Sequence, residues 1–152
     1  MKIKKQILAG ALALATTFTM SVPALAADSN YCVALGADLS AEEKSKVLGI
    51  MDLSEDDLDG HEVTVTNQEE HKYLDDYLSA SVIGSRALSS VYVCEASDGY
   101  GIQVTTHNIT YCTTGMYQNA LATAGLKNAT VVVAGPFDLS GTAALIGAVK
   151  AY

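Results

Sequence analysis

A nucleophilic hydrolase needs a serine or cysteine, a base within reach of it, and an acid that orients the base. Every one of these types is present. Ser85 and Ser140 are the candidate nucleophiles, His71 and His107 the candidate bases, and aspartates are plentiful. No Gly-x-Ser-x-Gly elbow occurs, and Gly84-Ser85-Arg86 leads into a strand-like run instead of joining a strand to a helix. Ser85 therefore reads as a loop hydroxyl, His107 as a strand residue and His71 as an exposed helix residue, and no catalytic residue is assigned. His61, His71, His107 and the three cysteines show no metal-ligand spacing, so no metal or cofactor is assigned either. Residues 52–62, DLSEDDLDGHE, hold six acidic residues and no Lys or Arg. Asp57 stands where a calcium loop requires glycine. The segment reads as a solvated turn, capped by Ser54 and ended by Gly60.

The segment from Gly135 to Thr142 carries the most specific chemistry. An apolar run reaches Gly135-Pro136, and Ser140-Gly141-Thr142 then opens a helix. Free amides at such a start, beside two hydroxyls, can hold a phosphate or carboxylate, although Asp138 would repel an anion. No lysine follows Gly141, which excludes a nucleotide-binding P-loop. Arg86, the only arginine in the chain, and His107 complete a candidate site of Arg86, His107, Ser140, Gly141 and Thr142. The plainer reading is a strand-to-helix turn with Ser140 as N-cap and Arg86 paired to a surface carboxylate.

The elements that position these residues follow from periodicity and caps. Tyr31–Leu35 reads as a first strand, ended by Gly36. Ser40 and Glu43 form a capping box for a helix with Val47, Leu48, Ile50 and Met51 as its apolar stripe. Val63 and Val65 mark a short strand. Asn67 and Glu70 then cap a helix bearing Tyr73, Leu74, Tyr77 and Leu78 on one face. Residues 87–96 and 101–112 are strand-like and flank Asp98-Gly99, which predicts a β-hairpin. Thr113 or Thr114 caps the next helix, and Gly125 ends it. Residues 129–134, ATVVVA, read as a strand buried on both faces. Ala143, Leu145, Ile146 and Val149 lie on a last helix. The expected fold is α/β: one domain over 27–152, with a mixed sheet of about five strands including one hairpin, covered by helices.

The hairpin also constrains the cysteines. A two-residue Asp98-Gly99 turn pairs residues whose numbers sum to 197, placing Cys94 opposite Gln103, nine positions before Cys112. That separates the two thiols by about 30 Å, far beyond disulfide reach. Any intrachain bond must use Cys32; otherwise all three remain thiols.

Lys2, Lys4 and Lys5, an uncharged apolar stretch over 7–22 and Ala24-Leu25-Ala26 have the layout of a secretory signal peptide cleaved after Ala26. The full chain of 152 residues has a net charge of −8. Removing residues 1–26 leaves six basic against 17 acidic residues, a net charge of −11. Such a balance argues against nucleic-acid binding. No membrane span is expected after cleavage.

Four segments together resemble one family: VTNQEEHKYL at 65–74, IGSRALSSVYV at 83–93, THNITY with MYQNALATAG over 106–125, and VVVAGPFDLSGTAAL at 131–145. The chain resembles the domain-of-unknown-function family DUF1002, secreted proteins of Gram-positive bacteria, over roughly residues 31–151. That resemblance implies no established activity, substrate or cofactor. It also implies a short member or the N-terminal part of a longer protein. Together these readings predict a secreted, non-enzymatic binding or accessory module of the extracellular space or cell envelope. Its partner would be an envelope component or a small ligand. The alternatives are a hydrolase or transferase using a pocket at the 135–142 loop, and a structural or assembly domain.

Overall fold

The structure is a computed structural model that describes residues 30–152; the signal-peptide reading of residues 1–26 lies outside the described residues. Strand β1 (Tyr31–Gly36) is followed by α1 (Ala41–Ile50), a 3-10 turn at Glu55–Leu58, and β2 (Glu62–Val65). Next come α2 (Asn67–Leu74), α3 (Ala80–Ile83), β3 (Ser90–Glu95), β4 (Ile102–Ile109), α4 (Thr114–Ala124), β5 (Ala129–Leu139) and α5 (Thr142–Ala151). The capping box of α1 is present: the Glu43 amide donates to Ser40 Oγ at 3.2 Å and the Ser40 amide to Glu43 Oε2 at 2.8 Å. The acidic segment is the short helical turn expected, with Leu58 buried and Ser54 bonded to Asp57 Oδ2. No helix of the described residues is long and apolar enough to cross a membrane.

The five strands form one mixed sheet in the order β2-β1-β3-β5-β4. The expected hairpin does not form, because β5 lies between β3 and β4, antiparallel to the first and parallel to the second. The Asp98-Gly99 turn is real: Gly99 takes φ 84° and the Tyr100 amide donates to Ser97 O. Asn128 then holds the gap open. Its carbonyl accepts from the Ala96 amide, and its side-chain oxygen accepts from the Gly101 amide at 2.9 Å. The row Cys94–Thr130–Gln103 keeps the register of the expected hairpin with a strand inserted into it. Hydrophobicity explains the insertion. The ATVVVA run has apolar side chains for both faces, and only a central strand buries both. In β4, by contrast, exposed Gln103, Thr105 and His107 alternate with half-buried Val104 and Thr106, as suits an edge.

Two cores flank the sheet. One packs Ala34, Val65, Val91, Val93, Val131 and Val133 against α4 and α5 through Tyr117, Leu121, Ala143, Ala144 and Ala148. The other packs Val33, Leu35, Tyr92 and Ala134 under Val47, Leu48 and Met51 of α1 and Leu58 of the acidic segment. Cys32 is registered with Val93 and Cys94 with Tyr31, so the two thiols point to opposite faces. All three cysteines are free.

Several local expectations are corrected. The α2 capping box uses Thr66 and Glu69, one residue before the expected pair, and the helix stops at Leu74. Tyr77 is consequently 82% exposed, and the residue of α2 that turns inward is Glu70. Gly135-Pro136 does not end β5, which runs on to Leu139. The β3 partnership stops at Ala134, so Pro136, which has no amide hydrogen, lies past the last bond to β3. The extra chain lies on β5, where residues 135–138 stand opposite the single residue Asn108, φ 59°, whose Nδ2 donates to Gly135 O at 2.9 Å. On α5 the buried face is Thr142, Ala143, Ala144, Gly147 and Ala148, while Val149 points to solvent.

Hydrogen exchange tests the central place of β5. The amides of Val131, Val132 and Val133 should all exchange only through global unfolding, because β5 is bonded on both sides. If every second amide over 130–134 exchanged quickly, β5 would be an edge and the β3–β4 hairpin would be restored.

Candidate functional site

A cleft of about 530 Å³ opens where the C-terminal ends of β4 and β5 meet the start of α5. Four parts of the chain line it: residues within 81–89 with α3, Thr110 and Tyr111 after β4, Phe137 with 139–143, and Glu70 of α2. The β4–β5 ladder is carried into its wall by the Thr110 amide on Leu139 O at 2.8 Å and the Cys112 amide on Ser140 O at 2.9 Å. Strand β5 therefore delivers the chain directly to α5 through Ser140 and Gly141, a far shorter connection than the 135–142 loop expected.

Gly141, not Ser140, is the N-cap of α5, and it has no side chain with which to cap the helix. Its φ of 94° is left-handed, and a Cβ there would stand 2.5 Å from Tyr117 Oη and 2.6 Å from Ile109 Cγ2. Only glycine meets both demands. Tyr117, fully buried, donates to Gly141 O at 2.8 Å and locks the turn onto α4. Ser89 Oγ accepts from the Ala144 amide at 2.8 Å, which satisfies one of the free donors of the first turn.

The floor of the cleft is a buried polar chain. Thr142 Oγ1 donates to Glu70 Oε1 at 2.7 Å, and Asn67 Nδ2 donates to Glu70 Oε2 at 3.0 Å. Ser140 Oγ lies 3.3 Å from Thr142 Oγ1. Glu70 is 1% exposed, as is Thr142. Burial raises the Glu70 carboxyl above its ordinary value, against the opposing pull of the Thr142 and Asn67 hydrogen bonds. Glu70 was readable only as a capping residue. One signal did mark it: it lies four positions before Leu74, in line with the stripe that should face the core.

The five candidate residues divide. Arg86, Ser140, Gly141 and Thr142 all line the cleft. His107 does not. It is registered with Ala134, on the face covered by α1, whereas Thr106 beside it faces the α5 side with Val133. The side-chain alternation of a strand decides this, and it turns His107 outward on an uncovered part of the sheet. The convergence of Arg86, His107 and the 135–142 segment that an acid–base site would need does not occur. Arg86 is committed elsewhere too: Nη2 donates to Glu43 Oε2 at 3.0 Å and to Asp38 O at 3.0 Å. The Ser40 amide first, with Arg86 adding to it, holds the Glu43 carboxyl below its ordinary value.

The other histidines lie apart from the Ser140 turn. His71 bonds Asp75 Oδ1 through Nδ1 at 2.7 Å and Gly84 O through Nε2 at 3.0 Å. The Asp75 bond, then that to Gly84, raises its pKa by favouring the doubly protonated ring. His61 stacks on Tyr31 with ring centroids 4.1 Å apart. Among the described residues no three His, Cys, Asp or Glu side chains are grouped to hold a metal ion.

Two aromatic side chains complete the cleft walls. Tyr111 is 46% exposed and Phe137 48% exposed. Ser81, Ser85, Thr110 and Ser140 supply hydroxyls around them.

The Glu70 carboxyl carries a pH signature. Its folded pKa lies above its unfolded value near 4.5, so its contribution to stability is complete below that value. It is then lost as pH rises through the folded pKa. Glu70→Gln should remove this loss. In urea titrations from about pH 4 to pH 8, wild-type stability relative to the variant should fall with rising pH. A pH-independent difference between them would mean that Glu70 is not the buried titrating group described.

Residues 35–152 match the model of the family described as "Protein of unknown function (DUF1002)". The chain is also 48% identical, over 151 residues, to the uncharacterized protein YpuA of Bacillus subtilis (strain 168). That alignment takes in 97% of this chain and 51% of the relative, so the chain spans about half the length of the curated protein it matches. No solved structure matches it significantly. The four segments that carried the resemblance all lie within the matched residues, and the chain belongs to the DUF1002 family.

Proposed function

We propose that this protein is a binding or accessory module exported to the extracellular space or cell envelope, and that it takes a small ligand in the cleft at the start of α5. The cleft carries this reading. Its volume of about 530 Å³ lies in the range of small-molecule sites. Its walls mix hydroxyls with two half-exposed aromatic rings, the composition of a recognition surface. The charged side chains of its lining are already bonded: Glu70 to Thr142 and Asn67, and Arg86 to Glu43. Groups held in this way shape a site and fix its donors and acceptors. The basic and then apolar character of residues 1–22, with Ala24-Leu25-Ala26 after them, supports export, as does the acidic balance of the remainder.

Two measurements test the reading. Mass spectrometry of the protein recovered outside the cells should find an N-terminus at Ala27. A thermal-shift screen of the purified protein against cations, nucleotides, sugars and wall fragments should yield a ligand that raises the midpoint. That ligand should perturb the amide resonances of Thr110, Tyr111 and Ser140 in NMR spectra. Ligands that act only away from these residues would remove the cleft from the function.

A further inference from the structure

Resting on the reading of the cleft as a ligand site, we infer that its ligand is a neutral saccharide, with one pyranose ring stacked on Phe137 or Tyr111 and its hydroxyls bonded to Ser85, Thr110 and Ser140.

Three observations lead to this chemistry. The first is charge. Arg86 and Glu70 are the charged side chains of the lining. Arg86 is paired with Glu43, and Glu70 is buried beneath Thr142. An anion entering the cleft would approach a carboxyl and meet a cation already matched. A cation would meet the Arg86 guanidinium, and the buried Glu70 oxygens are already bonded to Thr142 and Asn67. A neutral ligand avoids both costs.

The second is the kind of polar group on offer. Ser85 presents a hydroxyl that can both donate and accept. Thr110 Oγ1 already donates to Leu139 O, and Ser140 Oγ donates to Thr142 Oγ1, whose own proton goes to Glu70, so these two present acceptor lone pairs. A ligand that donates at Thr110 and Ser140 and either donates or accepts at Ser85 matches them, and a ring of hydroxyl groups can do all of this. Carboxylates and phosphates only accept; ammonium groups only donate.

The third is the pair of aromatic rings. Phe137 on β5 has no hydrogen bond to make, and nearly half of it stands in water. Tyr111, on the segment leaving β4, is likewise about half exposed. Their flat apolar faces complement the C–H face of a pyranose, whose hydroxyls lie around the ring edge. Aromatic walls and ringed hydroxyls together specify a sugar more narrowly than either does alone.

The test is an NMR titration of the purified protein with maltotriose, cellotriose and triacetylchitotriose. Inorganic phosphate and trigalacturonate serve as anionic counterparts. Glucose separates recognition of a free sugar from recognition of a chain. At least one neutral saccharide should perturb Thr110, Tyr111, Phe137 and Ser140. Its affinity should fall about tenfold in Phe137→Ala or Tyr111→Ala, both exposed positions whose truncation leaves the core intact. Perturbation of these residues by phosphate or trigalacturonate alone would overturn the saccharide inference and leave the binding reading standing. Saccharide binding that is unchanged in both variants, or confined to other residues, would overturn it as well. If none of the six probes perturbs the cleft, the inference fails, and the wider ligand screen separately decides the binding reading.

Discussion

Helix α5 lies on the sheet at a distance that only small side chains permit. A Cβ on Gly147 would stand 2.8 Å from Ala34 Cβ and 3.3 Å from both Val65 Cγ2 and Val91 Cγ1. Ala143, Ala144 and Ala148 continue the same face, all of them fully buried. One helix thereby touches β1, β2 and β3 together and closes the larger core. Packing this tight leaves little freedom to slide, so it also sets where the helix begins. Everything in the cleft follows from that point: the Gly141 turn, the burial of Thr142 and the placement of Ser140.

Polar contacts at both ends of α5 hold the same position. At the start, Tyr117 anchors Gly141 O and Ser89 takes the Ala144 amide, while Thr142 reaches Glu70 on α2. At the end, Lys150 Nζ donates to Glu69 Oε1 at 2.6 Å and to Thr64 O at 2.7 Å. Consecutive glutamates of α2 thus bond to opposite ends of α5, Glu70 from a buried site and Glu69 from the surface. The Lys150 hydrogen bond, followed by that of the Thr66 amide, keeps the Glu69 carboxyl below its ordinary value, while burial raises that of Glu70. Neighbours in sequence acquire opposite character because one faces solvent and the other the helix interface.

The position of β5 shows how local and global signals divide. The Asp98-Gly99 turn forms as its residues require, yet the strands it joins never pair with each other. Turn chemistry acts over four residues. Which strand lies beside which depends on the area each can bury, and ATVVVA outcompetes GIQVTTHNI for the centre of the sheet. Both facts were legible, the uniform apolar run and the alternating one. The hairpin inference weighed only the turn. The same burial logic decided α5, whose smaller residues take the sheet-facing positions while bulkier Leu145 and Ile146 pack half-buried at the margin of the core and Val149 points to solvent.

The amino-acid sequence by itself determined the α/β class, the order of the major elements, the capping box of α1, the end of α4 at Gly125 and the family. These rest on interactions within a few residues or on composition, and both are written along the chain. It also brought Arg86, Ser140, Gly141 and Thr142 into consideration together, and all four line one cleft. Tertiary structure alone decided the strand order, the burial of Glu70, the outward turn of His107 and the aromatic wall of Tyr111 and Phe137. Each depends on which face of an element meets another element. That choice is made by the fit of surfaces from segments far apart in the chain, as when Thr142 meets Glu70 across 72 positions.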